Sequence, residues 1–315
     1  MKHIIRTLAL LWALVLALPC AMAEETTYAP IEDWLVNNQP APAPYTPNPD
    51  NYLPDNGGYV DESISITIET TYWTEDAVQV DAPADGVTRV LLVHVKLTDV
   101  TQFRTGLAAR YPSKLQARVE QMAEYYNAVL AINGDFFNYH DYGIAYRNGR
   151  KLRFDANDAR ELLIVDTNGD FSYLRPTTQK GWDAFVEGGG EPLHAFWFGP
   201  NLINEDGTPM TEFSMDAGNG PLAKAQRIVI GQVGELEYLI VCTEGPESTD
   251  YKGQGFTLAE MAKVCHALGM DNAYNLDGGG SANVVLNGVK LNSPSNPKYR
   301  EVGDCIYFAT LIPNE

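Results

Sequence analysis

The sequence is poor in cysteine, in basic residues and in characteristic catalytic signatures, and each shortage excludes a class of protein. Four cysteines in 315 residues are too few for a disulfide-stapled mini-domain. With 22 Lys and Arg against 41 Asp and Glu, the net charge is −19, so the chain repels phosphate polymers and we expect no nucleic-acid partner. The motifs H-E-x-x-H, G-x-S-x-G and G-x-x-x-x-G-K-[ST] are missing, which argues against zinc peptidases, serine esterases and P-loop proteins.

Long apolar runs are also scarce, and the longest lies near the N terminus. It follows Lys2 and Arg6 and precedes Ala21-Met22-Ala23, which is the order of a secretory signal peptide over residues 1–23. We expect cleavage after Ala23, and a protein that is secreted or associated with the cell envelope and has no transmembrane segment after cleavage. A retained anchor is the alternative, but the run is shorter than the roughly 20 residues that cross a bilayer. A second alternative is a lipoprotein that carries its lipid on Cys20, but a proline precedes this cysteine where a small residue is needed.

The composition changes along the chain and predicts the domain organisation. Residues 24–59 are rich in proline and asparagine and lack apolar periodicity, which is typical of a semi-rigid linker or a draped arm. Ordered structure is predicted to begin near Ser63. No second linker and no repeat of fixed period follow, so residues 60–315 are predicted to form a single domain.

Strand patterns dominate this domain. Ile64, Ile66 and Ile68 alternate with polar residues, and apolar runs at 90–97, 128–132, 228–231 and 238–242 predict buried strands. Four dipeptides typical of antiparallel hairpins are Asn148-Gly149, Asn168-Gly169, Asp206-Gly207 and Asn287-Gly288.

Helices are fewer. Ser113 to Gln116 and Thr257 to Glu260 have the form of capping boxes and predict the starts of two amphipathic helices. The predicted fold class is therefore α+β, with a mixed, largely antiparallel β-sheet core and a few flanking helices. Cys242, Cys265 and Cys305, which remain after cleavage, allow at most one disulfide and are predicted to be small buried hydrophobic residues.

Three predicted strand ends carry polar residues beside glycine: Asn133-Gly134-Asp135, Glu244-Gly245 and Asp277-Gly278-Gly279-Gly280-Ser281. Each can be a simple turn, but a hairpin does not need three glycines after a carboxylate. Consecutive glycine amides, with the Ser281 hydroxyl, can form an anion-binding nest. Paired carboxylates suit glycoside cleavage, so Asp135, Glu244 and Asp277 are the candidate catalytic residues, with Asn133, Gly134 and the Gly278–Ser281 segment as candidate binding residues.

Cationic side chains near these segments are candidates for holding a phosphate group. Arg227 and Arg300 each precede a predicted strand, and a guanidinium can grip a phosphate with two hydrogen bonds; the alternative is a strand-edge arginine. His140 is either a wall of the site or a loop histidine. No cluster of metal ligands is evident, so we expect neither a metal nor another cofactor.

Four segments of the chain carry a family resemblance: Ala131–Phe137, Arg227–Gly231, Thr257–Ala262 and Asn272–Ala282, the last followed by Val285–Gly288. Their order and content, over about residues 90 to 312, resemble the phosphodiester glycosidase family, which includes the enzyme that exposes mannose 6-phosphate by removing N-acetylglucosamine. The resemblance implies one cleft in which Asn133, Asp135, Arg227, Asp277 and the glycines converge. Glu244-Gly245-Pro246 departs from the Asp-Gly-Arg or Asp-Gly-Gln of many members, and Gly253-Gln254-Gly255 lacks their usual serine or arginine.

The resemblance implies a hydrolase that cleaves the C1–O bond of an α-glycosyl phosphodiester, with a small glycosyl phosphodiester or an envelope glycopolymer as substrate. Two alternatives stay open at this point. One is a phosphodiesterase that cuts the P–O bond, and the other is a glycan or cell-envelope binding module without turnover.

Overall fold

Antiparallel β-sheet dominates the fold. The computed structural model describes residues 35–36, 39–156, 160–213, 220–251, 253–293 and 300–314; the predicted signal peptide lies outside them. The strands, in chain order, are β1 (Leu35–Val36), β2 (Gln39–Pro40), β3 (Tyr52–Leu53), β4 (Gly58–Val60), β5 (Ile64–Thr74), β6 (Gln79–Val80), β7 (Val87–Leu97), β8 (Phe103–Leu107), β9 (Leu130–Asn133), β10 (Ala145–Arg147), β11 (Arg150–Arg153), β12 (Glu161–Asp166), β13 (Phe171–Leu174), β14 (Pro192–Phe198), β15 (Ile228–Gly234), β16 (Glu237–Thr243), β17 (Tyr274–Asn275), β18 (Val284–Leu286), β19 (Val289–Lys290) and β20 (Asp304–Phe308). The α-helices of the described ranges are α1 (Val119–Tyr125), α2 (Gln179–Glu187) and α3 (Leu258–Ala267).

The larger strands form three sheets. The first has the order β17-β15-β16-β7-β5-β4-β3, with β6 paired to β5; the second is β19-β18-β9-β20-β8, and the third is β11-β10-β14-β12-β13. All strand pairs in the described ranges are antiparallel. The predicted α+β class with a largely antiparallel core is confirmed.

One face of each sheet contributes to a shared core, and one helix covers the other face. Strand β12 shows the alternation that produces this arrangement, because successive side chains of a strand point to opposite faces. Leu163 and Val165 lie in the shared core, whereas Leu162 and Ile164 pack against Trp182 of α2. Helix α3 covers the first sheet and α1 covers the second in the same way.

The N-terminal arm packs on the domain earlier than the sequence indicates. Strands β3 and β4 extend the first sheet through β5, and Tyr59 is fully buried in the shared core. The Ala43 amide donates to the Tyr126 carbonyl at 3.1 Å. These strands are two and three residues long, too short to show a periodic pattern, so the predicted start near Ser63 is too late.

One of the two predicted helix starts is wrong and the other is confirmed. Helix α1 begins after Arg118, because Ala117 instead pairs with Val302 as an isolated β-bridge and holds the preceding residues outside the helix. The Ser113 hydroxyl accepts from the Leu115 amide in a turn. Thr257 caps α3 with a reciprocal contact to Glu260. The three predicted buried cysteines are buried, and none forms a disulfide.

Candidate active site

The ends of β9 and β17 meet through the side chain of Asn133. Its amide donates to the Asp277 carbonyl at 2.8 Å, and its oxygen accepts from the Asn283 amide at 3.0 Å. Asn133 is fully buried, so these hydrogen bonds hold the Asn133–Asp135 segment against the Asp277–Ser281 segment. The structure thus brings together two of the three strand ends selected from the sequence.

Steric constraints explain why glycine occupies two of the three positions after Asp277. A Cβ on Gly278 would lie 2.7 Å from the Gln226 carbonyl oxygen, and Gly279 has a φ of +58°, which side chains rarely adopt. The Gly279 amide donates to the same carbonyl at 2.9 Å. The amides of Gly278 and Gly280 have no protein acceptor among the described residues, so two of the three glycine amides can serve an anion.

Asp277 lies half-buried beside polar groups. Burial raises the pKa of its carboxyl to about 6, against a hydrogen bond from Ser281 and the charges of Arg300 and Arg160, which lower it. The exposed Arg300 donates from Nη1 to the Ser281 hydroxyl at 3.3 Å. A cation, a hydroxyl and bare amides therefore surround a carboxylate that ionises near neutral pH.

Asp135 is fully buried, and both of its oxygens are occupied. Oδ1 accepts from Nη2 of Arg147 at 2.6 Å, and Oδ2 accepts from the Trp197 amide at 2.7 Å. A carboxylate held this way is fixed in position and is poorly placed to attack a substrate. The predicted role of Asp135 as partner of Asp277 stays a prediction.

Sequence reasoning missed Arg147 and Asp304. Arg147 is fully buried and also donates from Nε to Oδ2 of Asp304 at 2.8 Å. Burial raises the pKa of Asp304 to about 7, Arg147 lowers it, and the charges of Asp135 and Asp277 raise it further. An aspartate at the start of the apolar strand β20 was the available signal for Asp304; Arg147, next to the predicted hairpin turn, offered none.

Asp277 and Asp304 both line a small cavity. A Cβ on Gly134 would overlap the Asp304 carboxyl group, so only glycine at position 134 lets the backbone approach Asp304 this closely. The cavity has a volume of about 10 Å³, and its lining is Gly134, Phe136, Tyr139, Asp277, Val302, Gly303 and Asp304.

Aromatic side chains form a wall beside the cavity. Phe136 and Tyr139 stack with ring centroids 3.9 Å apart, and Tyr139 is 47% exposed. His140 packs edge-on against Trp197 and donates from Nδ1 to the Tyr142 carbonyl. Burial lowers the pKa of His140. Its ring lies next to Phe136, and its predicted role as a wall of the site stays a prediction.

Glu244 lies behind the glycine segment and outside the cavity lining. Its buried carboxylate accepts from Arg89 at 3.0 Å, from Ser248 at 2.8 Å and from the Ser293 amide at 3.0 Å. Gln226, whose side chain also donates to it, separates it from Gly279. These contacts fix the Glu244 carboxylate in position, and its predicted catalytic role stays a prediction.

The Arg227 guanidinium forms hydrogen bonds with backbone carbonyl groups. It donates to the carbonyls of Phe256 at 3.0 Å, Gly220 at 2.9 Å and Ala223 at 2.7 Å, and burial lowers its pKa to about 10. The guanidinium therefore braces the loop under the glycine segment, and its predicted phosphate contact stays a prediction.

The residues that the structure describes contain no group of three or more His, Cys, Asp and Glu side chains arranged to hold a metal ion. No helix within them is long and apolar enough to cross a membrane.

Comparisons with known proteins show what the fold and the sequence resemble. The catalytic domain of zebrafish N-acetylglucosamine-1-phosphodiester alpha-N-acetylglucosaminidase, auto-inhibited by its pro-peptide, superposes with a TM-score of 0.59 at 18% identity, over 90% of this chain and 100% of that one. A hypothetical protein from Synechocystis gives a TM-score of 0.51 at 16% identity, over 78% of this chain and 62% of that one. No curated protein sequence matches. The model of the phosphodiester glycosidase family matches residues 126–309, more than half of the chain, and the protein belongs to that family.

Proposed function

We propose that this protein is an exported hydrolase that cleaves the C1–O bond of an α-glycosyl phosphodiester, with a GlcNAc-like sugar, and releases free sugar and a phosphomonoester. The substrate is a small glycosyl phosphodiester or an envelope glycopolymer. The observation that carries the proposal is the position of Asp277, whose carboxyl group lines the cavity and accepts a hydrogen bond from Ser281. Its raised pKa of about 6 suits chemistry near neutral pH.

The phosphate group is assigned to the side of Asp277 that carries Ser281 and Arg300. Arg300 and Ser281 are already joined by a hydrogen bond, and the amides of Gly278 and Gly280 add donors next to them. Hydrogen bonds from charged and backbone donors are the usual way to hold a phosphate. This placement uses Arg300, one of the two arginines predicted from the sequence to hold the phosphate.

The sugar ring is assigned to the aromatic wall. Phe136 and Tyr139 line the cavity together with Asp277, and the exposed Tyr139 ring offers a flat apolar surface. Sugars present apolar faces that pack on such rings, while polar edges remain available for hydrogen bonds. The sugar C1 then lies between the wall and the phosphate site, within reach of Asp277.

The phosphate leaving group needs little help from a general acid. When the C1–O bond breaks, its electron pair goes to a phosphate oxygen, which is a far better leaving group than an alkoxide. Stabilisation of the departing phosphate charge by Arg300 and the amides then matters more than protonation. Asp277 attacks C1 or stabilises the positive charge that develops there.

Product analysis in ¹⁸O-labelled water tests the reaction type. A panel of α-glycosyl phosphodiesters, including nitrophenyl-phosphate and teichoic-acid-like compounds, is incubated with the protein. C1–O cleavage places the label in the sugar, whereas P–O cleavage places it in the phosphate. Binding of these compounds without any turnover would identify a binding module instead.

The variant Asp277→Asn tests the assigned residue. It keeps the size of the side chain and removes its charge, so we expect kcat to fall by about 1,000-fold while substrate binding is retained. Asp271→Asn is the matched control, because Asp271 is an exposed aspartate six positions earlier and its loss should leave kcat unchanged. Steady-state kinetics and calorimetric binding measure both variants, and full activity in Asp277→Asn would reject the assignment.

A further inference from the structure

Asp304 lines the cavity and has one carboxylate oxygen without a hydrogen-bond partner among the described residues. Its Oδ2 is held by Arg147 at 2.8 Å, whereas Oδ1 is buried and has no hydrogen-bond partner among the described residues. Buried carboxylate oxygens in native proteins nearly always have a partner. Asp304 lines the same cavity as Asp277, so the missing partner is expected in that cavity.

The cavity has the size of one water molecule. Its volume of about 10 Å³ is close to the smallest space that can hold a water, and a water also needs polar partners. The unpartnered Oδ1 of Asp304 can provide one, and Asp277, which lines the same cavity, can provide another. The Gly134 position keeps this space open to the carboxyl group, because any side chain there would displace Asp304.

We propose that Asp304 is the general base of the hydrolysis and that its Oδ1 holds the attacking water in this cavity. The inference rests on the proposed function, since it assigns a role within the same reaction. Asp304 is a better candidate for this role than Asp135, whose two oxygens are both occupied.

The proton and electrons balance without another reactant. The water oxygen forms a bond to the sugar C1, and the water proton passes to Oδ1 of Asp304. The breaking bond is C1–O to the phosphate in a direct displacement, or C1–O to Asp277 if that residue attacks first, and its electron pair stays on the leaving oxygen. Asp304 afterwards returns the proton to solvent.

The surroundings of Asp304 suit a base that works near neutral pH. Arg147 of β10 is the cation that faces it, and Asp135 and Asp277 are the carboxylates that face it from the two joined segments. Cys305, its neighbour on β20, is neutral because burial raises the pKa of the thiol. Burial and the two carboxylates together raise the pKa of Asp304 to about 7, and a base is most effective when its pKa is close to the working pH.

Chemical rescue of Asp304→Asn by azide tests the proposal. Azide needs no base, so we expect the variant to lose at least about 100-fold in kcat, to keep its KM, and to recover turnover in azide with formation of a glycosyl azide. The limb of the wild-type pH profile near pH 7 should disappear in the variant. Retained activity, or a loss that azide does not restore, would overturn the proposal.

Asp135→Asn is the control for a structural effect. It alters the other carboxylate on Arg147 and leaves Asp304 in place, so azide should not restore the activity that this variant loses. Wild-type protein is measured in parallel on the same substrates. Absence of wild-type turnover rejects the proposed function itself, whereas an active wild type with an active Asp304→Asn rejects only the role of Asp304.

Discussion

The buried part of the candidate site, around Asp277 and Asp304, has more acidic than basic side chains. The charge of Asp135 raises the pKa values of Asp277 and Asp304, and the charge of Asp277 also raises that of Asp304. Arg147 is buried and contacts Asp135 and Asp304. Ionised carboxylates that are removed from water and face like charges are costly. The protein therefore keeps Asp277 and Asp304 at a cost in stability, which is common for residues that serve a reaction.

Replacement of Asp277 by asparagine should stabilise the protein at high pH. The pKa of Asp277 is about 6 in the folded protein and near 3.9 in an unfolded chain. The folded state thus binds the proton more tightly, and its stability falls as pH rises through the interval between these values. Asparagine avoids this loss, so we expect Asp277→Asn to raise the free energy of unfolding by on the order of 2 kcal/mol at about pH 8.

Urea denaturation at about pH 4 and about pH 8 measures this difference. At the lower pH most of the advantage should vanish, because the wild-type carboxyl is then largely protonated in the folded state. A variant less stable than wild type at the higher pH would contradict the account, and it would indicate that ionised Asp277 makes a net stabilising contact with Arg300.

At the scale of elements, two similar sequences behave differently. Thr257 and Glu260 bond reciprocally at the start of α3, whereas Ser113 and Gln116 lie before α1 and outside it. Thr257→Ala should lower the free energy of unfolding by about 1 kcal/mol, because it removes a helix cap. Ser113→Ala is the matched control and should change it by less than about 0.5 kcal/mol.

Thermal or chemical denaturation of both variants distinguishes the two positions. Activity of the Thr257→Ala variant should be retained at temperatures where it is folded, since α3 covers the outer face of the first sheet. Equal losses in the two variants would mean that the Ser113 turn also supports α1.

The same elements show how far the sequence reveals the fold. Periodic patterns identified β5, β7, β15, β16 and α3, because burial on one face leaves a regular signal in the sequence. Short strands such as β3 and β4 left none, and the start of α1 depended on the bridge between Ala117 and Val302, which are distant in the chain.

In the site, too, residues with an unusual local sequence could be predicted, whereas residues that matter through distant contacts could not. Asp277 and its glycines were found because their local sequence is unusual. Arg147 and Asp304 were not, since their importance comes from contact across two sheets. The predicted roles of Glu244 and Arg227 stay predictions, and the sequence could not show the partners that their charges have in the fold.

At the scale of the whole molecule, the net charge of −19 opposes the approach of an anionic substrate. Long-range repulsion extends over about 30 Å at 10 mM salt and about 8 Å at physiological salt. Arg300 and Arg160 act locally at the site and cannot cancel the field of the full surface at low ionic strength. Association of a phosphodiester should thus be slower in dilute buffer.

We therefore expect kcat/KM for an anionic glycosyl phosphodiester to rise about two- to threefold between about 10 mM and about 150 mM NaCl, with kcat unchanged. Inhibition by the uncharged sugar product should not depend on salt, which makes it the control for changes in the site itself. Arg300→Gln should lower kcat/KM and make its rise with salt steeper, because the local attraction that offsets the net charge is then weaker. A fall of kcat/KM with salt would contradict this prediction, because it would mean that the cations at the site outweigh the acidic surface even at long range. Stopped-flow measurement of association across the same salt series shows whether the effect lies in the binding step.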